Sequence, residues 1–365
     1  MPTTVSLPLA NRQLRFTALE TAARPWIFVI LVALWVAATW QWLWADYADM
    51  AVNIKWRVGE WLINSESGRV RRGLMGDGLI WLADTTGLSL AFVVLAIKSS
   101  ILALYAGLTA LLVFKNGFSD RLAAMALLPL GLVFVEGVYK EMLVYVALAM
   151  LIVWRGRLLG LVAAWFAYAV ALAGHEGLAL LLPAILILLW WTHEGWVRSA
   201  AMLAFSVIAL ASGLYAVVFT NLSDISAMCA AVTDRGFPAR VCDGAMWYTK
   251  VDETSAAMLL NAVYNQPRFY AFLAAGGAQW VVIYMVWRGA GPTVRQRLMI
   301  AAAVLAILPL FYLAFDYGRW MSMQVMVAFF ALALLRTDRD APPLPAVIFW
   351  PSVTLGAFVQ VPVFL

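Results

Sequence analysis

The chain has 365 residues, 64% of them hydrophobic and only 12% charged, with a mean hydropathy of +0.86. Soluble domains carry about 25% charged residues, and no soluble fold of this length hides such an apolar excess, so lipid is expected to solvate most of the surface. The net charge of +5 is not gathered into a basic stripe on a polar face. It points to cationic loops that set membrane topology rather than to a nucleic-acid partner.

The first apolar run, Pro25 to Trp44, is long for a leader and lacks a small-residue cleavage site, so it reads as a retained span. Counting about 20 apolar residues per crossing, with tilt and half-length segments as variations, places spans near 26–44, 87–114, 122–135, 142–154, 158–173, 177–191, 199–219, 268–287, 298–315, 320–335 and 345–363. The expected fold class is all-α: a polytopic transmembrane helix bundle of about 11 spans in one domain, 1–365, with outer loops 45–72 and 220–267. Leu74 to Leu82 is too short to cross alone and reads as a re-entrant or interfacial helix on the outer side.

Basic residues fall in every second loop: Arg12, Arg15 and Arg24, then Lys115 and Arg121, Arg155 and Arg157, Arg198, Arg288 with Arg295 and Arg297, and Arg336 with Arg339. That register puts the N-terminus in the cytoplasm. Most acidic residues fall in the alternate loops, so every candidate reactive cluster lands on one, outer, side. Cys229 and Cys242 share the outer 220–267 loop, where an oxidising compartment would favour a short-loop disulfide over two free thiols. His175 and His193 fall at opposite faces in this topology, which disfavours a zinc site. No Walker-type loop is present.

Five polar clusters follow in chain order. Asp46 and Asp49 close the first span, where carboxylates bind a metal, accept a proton or are simply solvated. Arg69, Arg71 and Arg72, spaced by Gly68 and Gly73, put three guanidinium groups on the acidic side of the membrane. Such groups grip phosphate in bidentate fashion, and the following short helix would add a positive N-terminal dipole; the bland reading is snorkelling onto headgroups. Glu136, Lys140 and Glu141 lie between two short spans, with Glu136 and Lys140 at pairing distance on a helix. His175-Glu176 joins an imidazole to a carboxylate as a base or ligand pair, or as a satisfied structural turn. Asp316 and Arg319 are spaced to pair, with Tyr317 and Trp320 as aromatic neighbours. Lys98 sits inside a span, where an ionisable group is costly.

Arginines for an anionic lipid carrier, carboxylates and a histidine for acid–base work, and aromatics for stacking on sugar suggest glycosyl transfer from a polyprenyl-linked donor outside the membrane. Arg71-Arg72-Gly73-Leu74-Met75-Gly76, Lys140-Glu141, His175-Glu176 and Asp316-Tyr317-Gly318-Arg319-Trp320 resemble, in that order, the polytopic polysaccharide polymerases and lipid-linked sugar transferases of bacterial capsule and O-antigen clusters. The resemblance implies a bacterial inner-membrane protein whose Arg69, Arg71, Arg72 and Arg319 hold undecaprenyl pyrophosphate. A second likeness, of Asp46 and Asp49 to the acidic first outer loop of C-superfamily glycosyltransferases, implies single-sugar transfer, often with a divalent metal; a large C-terminal soluble domain typical of that family is missing from the pattern. The expected catalytic set is His175, Glu176, Asp316, Glu141, Asp46 and Asp49; the expected lipid-phosphate-binding set is Arg69, Arg71, Arg72, Arg319 and Lys140. Expected partners are a polyprenyl-linked oligosaccharide, the bilayer and other polysaccharide-assembly proteins; no cofactor is certain, and a divalent metal stays open. Competing readings are a secondary transporter or lipid-linked glycan flippase, a non-catalytic assembly subunit, and a membrane-bound acyltransferase.

Overall fold

The computed structural model describes residues 9–49, 54–132, 137–219, 222–250, 267–288, 291–313, 317–335 and 343–358. Among them no β-strand occurs, and the chain is built of helices. α1 (Leu9–Ala48) is followed by the short α2 (Ile54–Arg57), α3 (Gly73–Thr86), α4 (Leu90–Phe114), α5 (Asp120–Leu132), α6 (Glu141–Val153) and α7 (Leu158–Gly174). Then come α8 (Leu182–Thr192), α9 (Gly195–Val218), α10 (Ser226–Thr233), α11 (Pro267–Arg288), α12 (Val294–Leu305), α13 (Leu308–Leu313), α14 (Tyr317–Leu335) and α15 (Ala346–Phe358).

Five stretches among the described residues are helical, long and apolar enough to cross a membrane: Leu19–Ala48, Leu90–Phe114, Gly195–Val218, Val294–Phe311 and Gly318–Leu335. That is fewer than the eleven crossings expected. The difference lies mainly in the middle of the chain, where α6, α7 and α8 have 13, 17 and 11 residues. At 1.5 Å per residue a 13-residue helix reaches about 20 Å, short of a hydrocarbon core of about 30 Å. Apolar composition reveals these helices but does not decide whether each one crosses.

Burial sorts the helices into a centre and an outer ring. α14 and α6 are the core: in α14 Met323, Val325, Met326, Phe329 and Phe330 are all buried, and in α6 Met142, Val144, Tyr145, Ala147 and Leu148 are. α6 packs on α4, α7, α8 and α14, and α5 packs on α14 and α15. The ring turns large apolar side chains outward. On α9 Leu203, Val207, Leu210, Leu214 and Val217 are exposed at three- and four-residue spacing, which places them on one stripe. A soluble protein would not leave such a stripe bare. α12 gives way to α13 because Pro309 cannot donate to the helix ladder and its ring crowds the carbonyl four residues back.

The two ends of the bundle are closed differently. At one end Arg24 of α1 donates to Asp120 (2.7 Å) and to the Leu344 carbonyl (2.6 Å), tying α1 to α5 and to the approach to α15. At the other end the 222–250 segment is seated on residues 54–67. Asn64 Nδ2 donates to the Met228 carbonyl (3.1 Å), the Met228 N–H to Ser67 Oγ (2.8 Å) and the Ala245 N–H to the Lys55 carbonyl (3.1 Å). Cys229 and Cys242 are joined by a disulfide, with Cα atoms 5.8 Å apart.

Candidate functional site: a buried ionic centre

The ionic centre lies at the disulfide end and is assembled from four chain segments. α3 begins the construction. Gly76 lets α3 lie against residues 62–64, since a Cβ there would sit 2.0 Å from the Ile63 carbonyl oxygen. Asp77, one residue on, accepts from the N–H (2.8 Å) and hydroxyl (2.6 Å) of Ser65. The loop carrying Arg69, Arg71 and Arg72 is thereby fastened at both ends. Arg72 takes the left-handed backbone (φ +69°), the one non-glycine residue to do so among those described, at a cost of about 1–2 kcal/mol.

That geometry aims Arg72 at Glu176, the first residue of a 3₁₀ turn (Glu176–Leu181) between α7 and α8. Arg72 Nε donates to Glu176 Oε2 (3.0 Å) and Nη2 to Oε1 (3.0 Å), a side-on fork. Arg71 Nη1 is 3.9 Å from Oε1, and its side chain is 38% exposed. Arg69 is exposed, its guanidinium 5.6 Å from the Phe219 ring centre. His175 caps the same turn: its Nδ1 accepts from the Gly177 N–H (3.2 Å), so the neutral ring carries its proton on Nε2. Burial, then the positive charge of Arg72, pushes its pKa well below the usual imidazole range, and the ring stands edge-on to Trp320 at 5.9 Å. Burial alone would raise the Glu176 carboxyl, but Arg72 and the neighbouring groups outweigh it and hold Glu176 ionised far below neutrality.

Lys140, at the start of α6, binds the segments together. Its ammonium donates to the Glu60 carbonyl (2.5 Å) and the Gly174 carbonyl (2.7 Å). Gly174 is required for this approach, because a Cβ would meet Met75 Cε at 2.6 Å and Lys140 Cδ at 2.8 Å. Burial lowers the Lys140 pKa to about 8. Deeper still, Arg319 of α14, 2% exposed, lies between two carboxylates: Nη1 is 3.1 Å from Glu60 Oε2, and Nε donates to Glu141 Oε1 at 2.8 Å. Beyond Trp61, Lys98 of α4 donates to the Arg57 carbonyl (2.9 Å), and Arg57 forks onto Asp46 (2.6 and 3.1 Å). The two ammonium groups, of Lys98 and Lys140, stand 5.7 and 6.0 Å from the Trp61 ring.

The sequence-predicted residues therefore separate. Arg72, Arg71, Glu176, His175, Lys140, Glu141 and Arg319 belong to one connected centre, and Asp46 adjoins it through Arg57 and Lys98. Asp49 is exposed at the end of α1, outside the centre. Asp316 and Glu136 lie outside the described residues, and with them the two sequence-local pairings expected for Arg319 and Lys140. Both cations make internal contacts. Arg319 grips protein carboxylates and Lys140 grips backbone carbonyls, and these contacts build the centre. Asp46 gives both oxygens to Arg57. Among the described residues no three His, Cys, Asp or Glu side chains come together as a metal site. Sequence reading missed Glu60 and Arg57. Their one signal was two opposite charges three apart, Arg57 and Glu60, shortly after Lys55 and before Trp61.

The architecture is that of a multi-pass helical membrane protein, with several apolar helices able to span a bilayer and an ionic centre at one end of the bundle. Comparison with protein-family models, with curated proteins and with solved structures finds no match for this chain.

Proposed function

We propose that the chain is a membrane glycosyltransferase or polysaccharide polymerase that uses polyprenyl-phosphate- or pyrophosphate-linked sugar donors at the periplasmic face of a bacterial inner membrane. One observation carries the reading: Arg71 and Arg72, on a fastened turn that also carries the exposed Arg69, meet a carboxylate beside a buried histidine at the accessible edge of the ionic centre. Arg69 and Arg71 are open enough to grip the donor phosphate and to offset charge as it departs. In the reaction an acceptor hydroxyl oxygen bonds to the anomeric carbon while the carbon–oxygen bond to phosphate breaks. The phosphate leaves with the bonding electrons, and the hydroxyl proton passes to a carboxylate.

Glu176 is the base in this reading. His175 is unsuited to that step, since its acceptor nitrogen is occupied by Gly177 and its other nitrogen already carries the proton. Lys140, Glu60, Glu141 and Arg319 hold the 174–177 turn and α14 in place from beneath.

The expected result of deleting the gene is loss of long surface-polysaccharide chains. Accumulation of single repeat units would assign polymerisation, and truncated repeats would assign single-sugar transfer; unaltered glycans would overturn both. The depth of Lys98 and Arg319 inside the bundle favours a second reading, a transporter or lipid-linked glycan flippase, because transporters keep paired charges within the membrane. In that case the deletion strain would retain complete lipid-linked units on the cytoplasmic side.

A further inference from the structure

The Arg72–Glu176 pair differs from the other ion pairs of the centre in its access. Arg319, Glu141 and Lys140 are sealed in, whereas the Glu176 side chain is 18% exposed and that of Arg71 38% exposed beside it. Two arginines thus face a single carboxylate, and Asp77, in the first turns of the adjoining helix, spends both oxygens on Ser65. One carboxylate occupies the Arg72 fork in the side-on geometry that a phosphate would take, and it leaves the local cationic charge under-compensated. A diphosphate, with two or more negative charges, matches the two guanidinium groups of Arg71 and Arg72 better than one carboxylate does. The left-handed Arg72 backbone stands at the head of α3, where the fork meets Glu176.

We propose that Glu176 is a placeholder anion: a diphosphate group displaces it from the Arg71–Arg72 pair, and the released carboxylate becomes the proton acceptor. This deepens the reading above and rests on it. Exchange couples the two halves of the site, because the base is freed only when the anion arrives. Without donor, Glu176 is locked to Arg72 and cannot deprotonate water or acceptor. The ligand chemistry is a diphosphate, from a soluble molecule or a lipid headgroup.

The test is binding of two probes, inorganic pyrophosphate and a short prenyl diphosphate, to the purified full chain in detergent, with size-exclusion profiles confirming each variant is folded. Glu176→Gln removes the competing charge and is expected to tighten binding about tenfold. Glu176→Asp, which keeps the charge but retracts it, is expected to tighten binding less. Arg71→Ala is expected to weaken it. Tightening with both probes assigns the diphosphate alone as the recognised group, and tightening with the prenyl probe alone assigns a lipid source; both support the exchange. Equal or weaker binding by Glu176→Gln, with binding still lost in Arg71→Ala, overturns the exchange and leaves the arginine anion site standing. Absence of binding by every form overturns both.

Discussion

Arg319→Ala is expected to cost about 3–5 kcal/mol of stability, enough to prevent recovery of folded protein. The mechanism is electrostatic. Arg319 holds Glu60 and Glu141, and without it two carboxylates remain buried with no cation between them. Breaking a buried pair from one side costs this much, because the remaining charge has neither water nor partner. Lys140, Lys98 and Arg72 also act on Glu60 but make no ion pair with either carboxylate among the described contacts, so they offset only part of the loss. Neutralising both acids together with the arginine (Arg319→Met with Glu60→Gln and Glu141→Gln) is expected to restore most of the loss. Thermal unfolding in detergent checks both statements. A loss below about 0.5 kcal/mol in the single variant, the size of an ordinary surface change, would remove Arg319 from its place as the keystone of the centre.

The second large effect is steric and has a built-in control. Gly76→Ala places a Cβ 2.0 Å from the Ile63 carbonyl oxygen, so α3 must move away from the 62–64 strand of loop. Overpacking of this kind costs about 1–3 kcal/mol or more. It would also shift Arg72, at the head of the same helix. Gly78, two residues on, faces open space. Gly78→Ala should be neutral or stabilising by up to about 1 kcal/mol, because alanine is the better helix former. Opposite signs two positions apart on one helix would be hard to explain without the close approach; similar effects at both positions would contradict it.

The membrane character was legible in the composition, and the main polar turns were legible as interruptions in apolar runs. Periodicity marks where a helix is, and charge in hydrocarbon marks where something must compensate it. Which groups compensate was not legible. Arg319 finds Glu60 and Glu141, which are 259 and 178 residues away, and no local spacing carries that information. His175 and Glu176 stood out as a base pair because they are adjacent in sequence. The backbone turn instead sends the imidazole to Gly177 and the carboxylate to Arg72, which separates their roles. The short helices were legible as apolar runs, but whether each one crosses was not. Helices as short as α6 and α8 are as apolar as full spans, so only three-dimensional context shows that they pack inside the bundle. The expected helix at Leu74 to Leu82 is present within α3, which runs from Gly73 to Thr86. Its start one residue after Arg72 is what puts the arginine turn at a helix head.

The proposed function requires the charged end of the bundle to face outward, towards a donor on the periplasmic leaflet. Among the described residues no cysteine is free, the disulfide holding Cys229 and Cys242, so single cysteines can report sidedness cleanly. Glu66→Cys lies on an exposed turn beside the arginines, and Asn116→Cys on an exposed turn after α4. With a membrane-impermeant maleimide applied to the outer side of the inner membrane, Glu66→Cys should label at once and Asn116→Cys only after the membrane is opened. The reverse pattern would place the arginines and Glu176 in the cytoplasm, away from any periplasmic donor, and would contradict the proposed function.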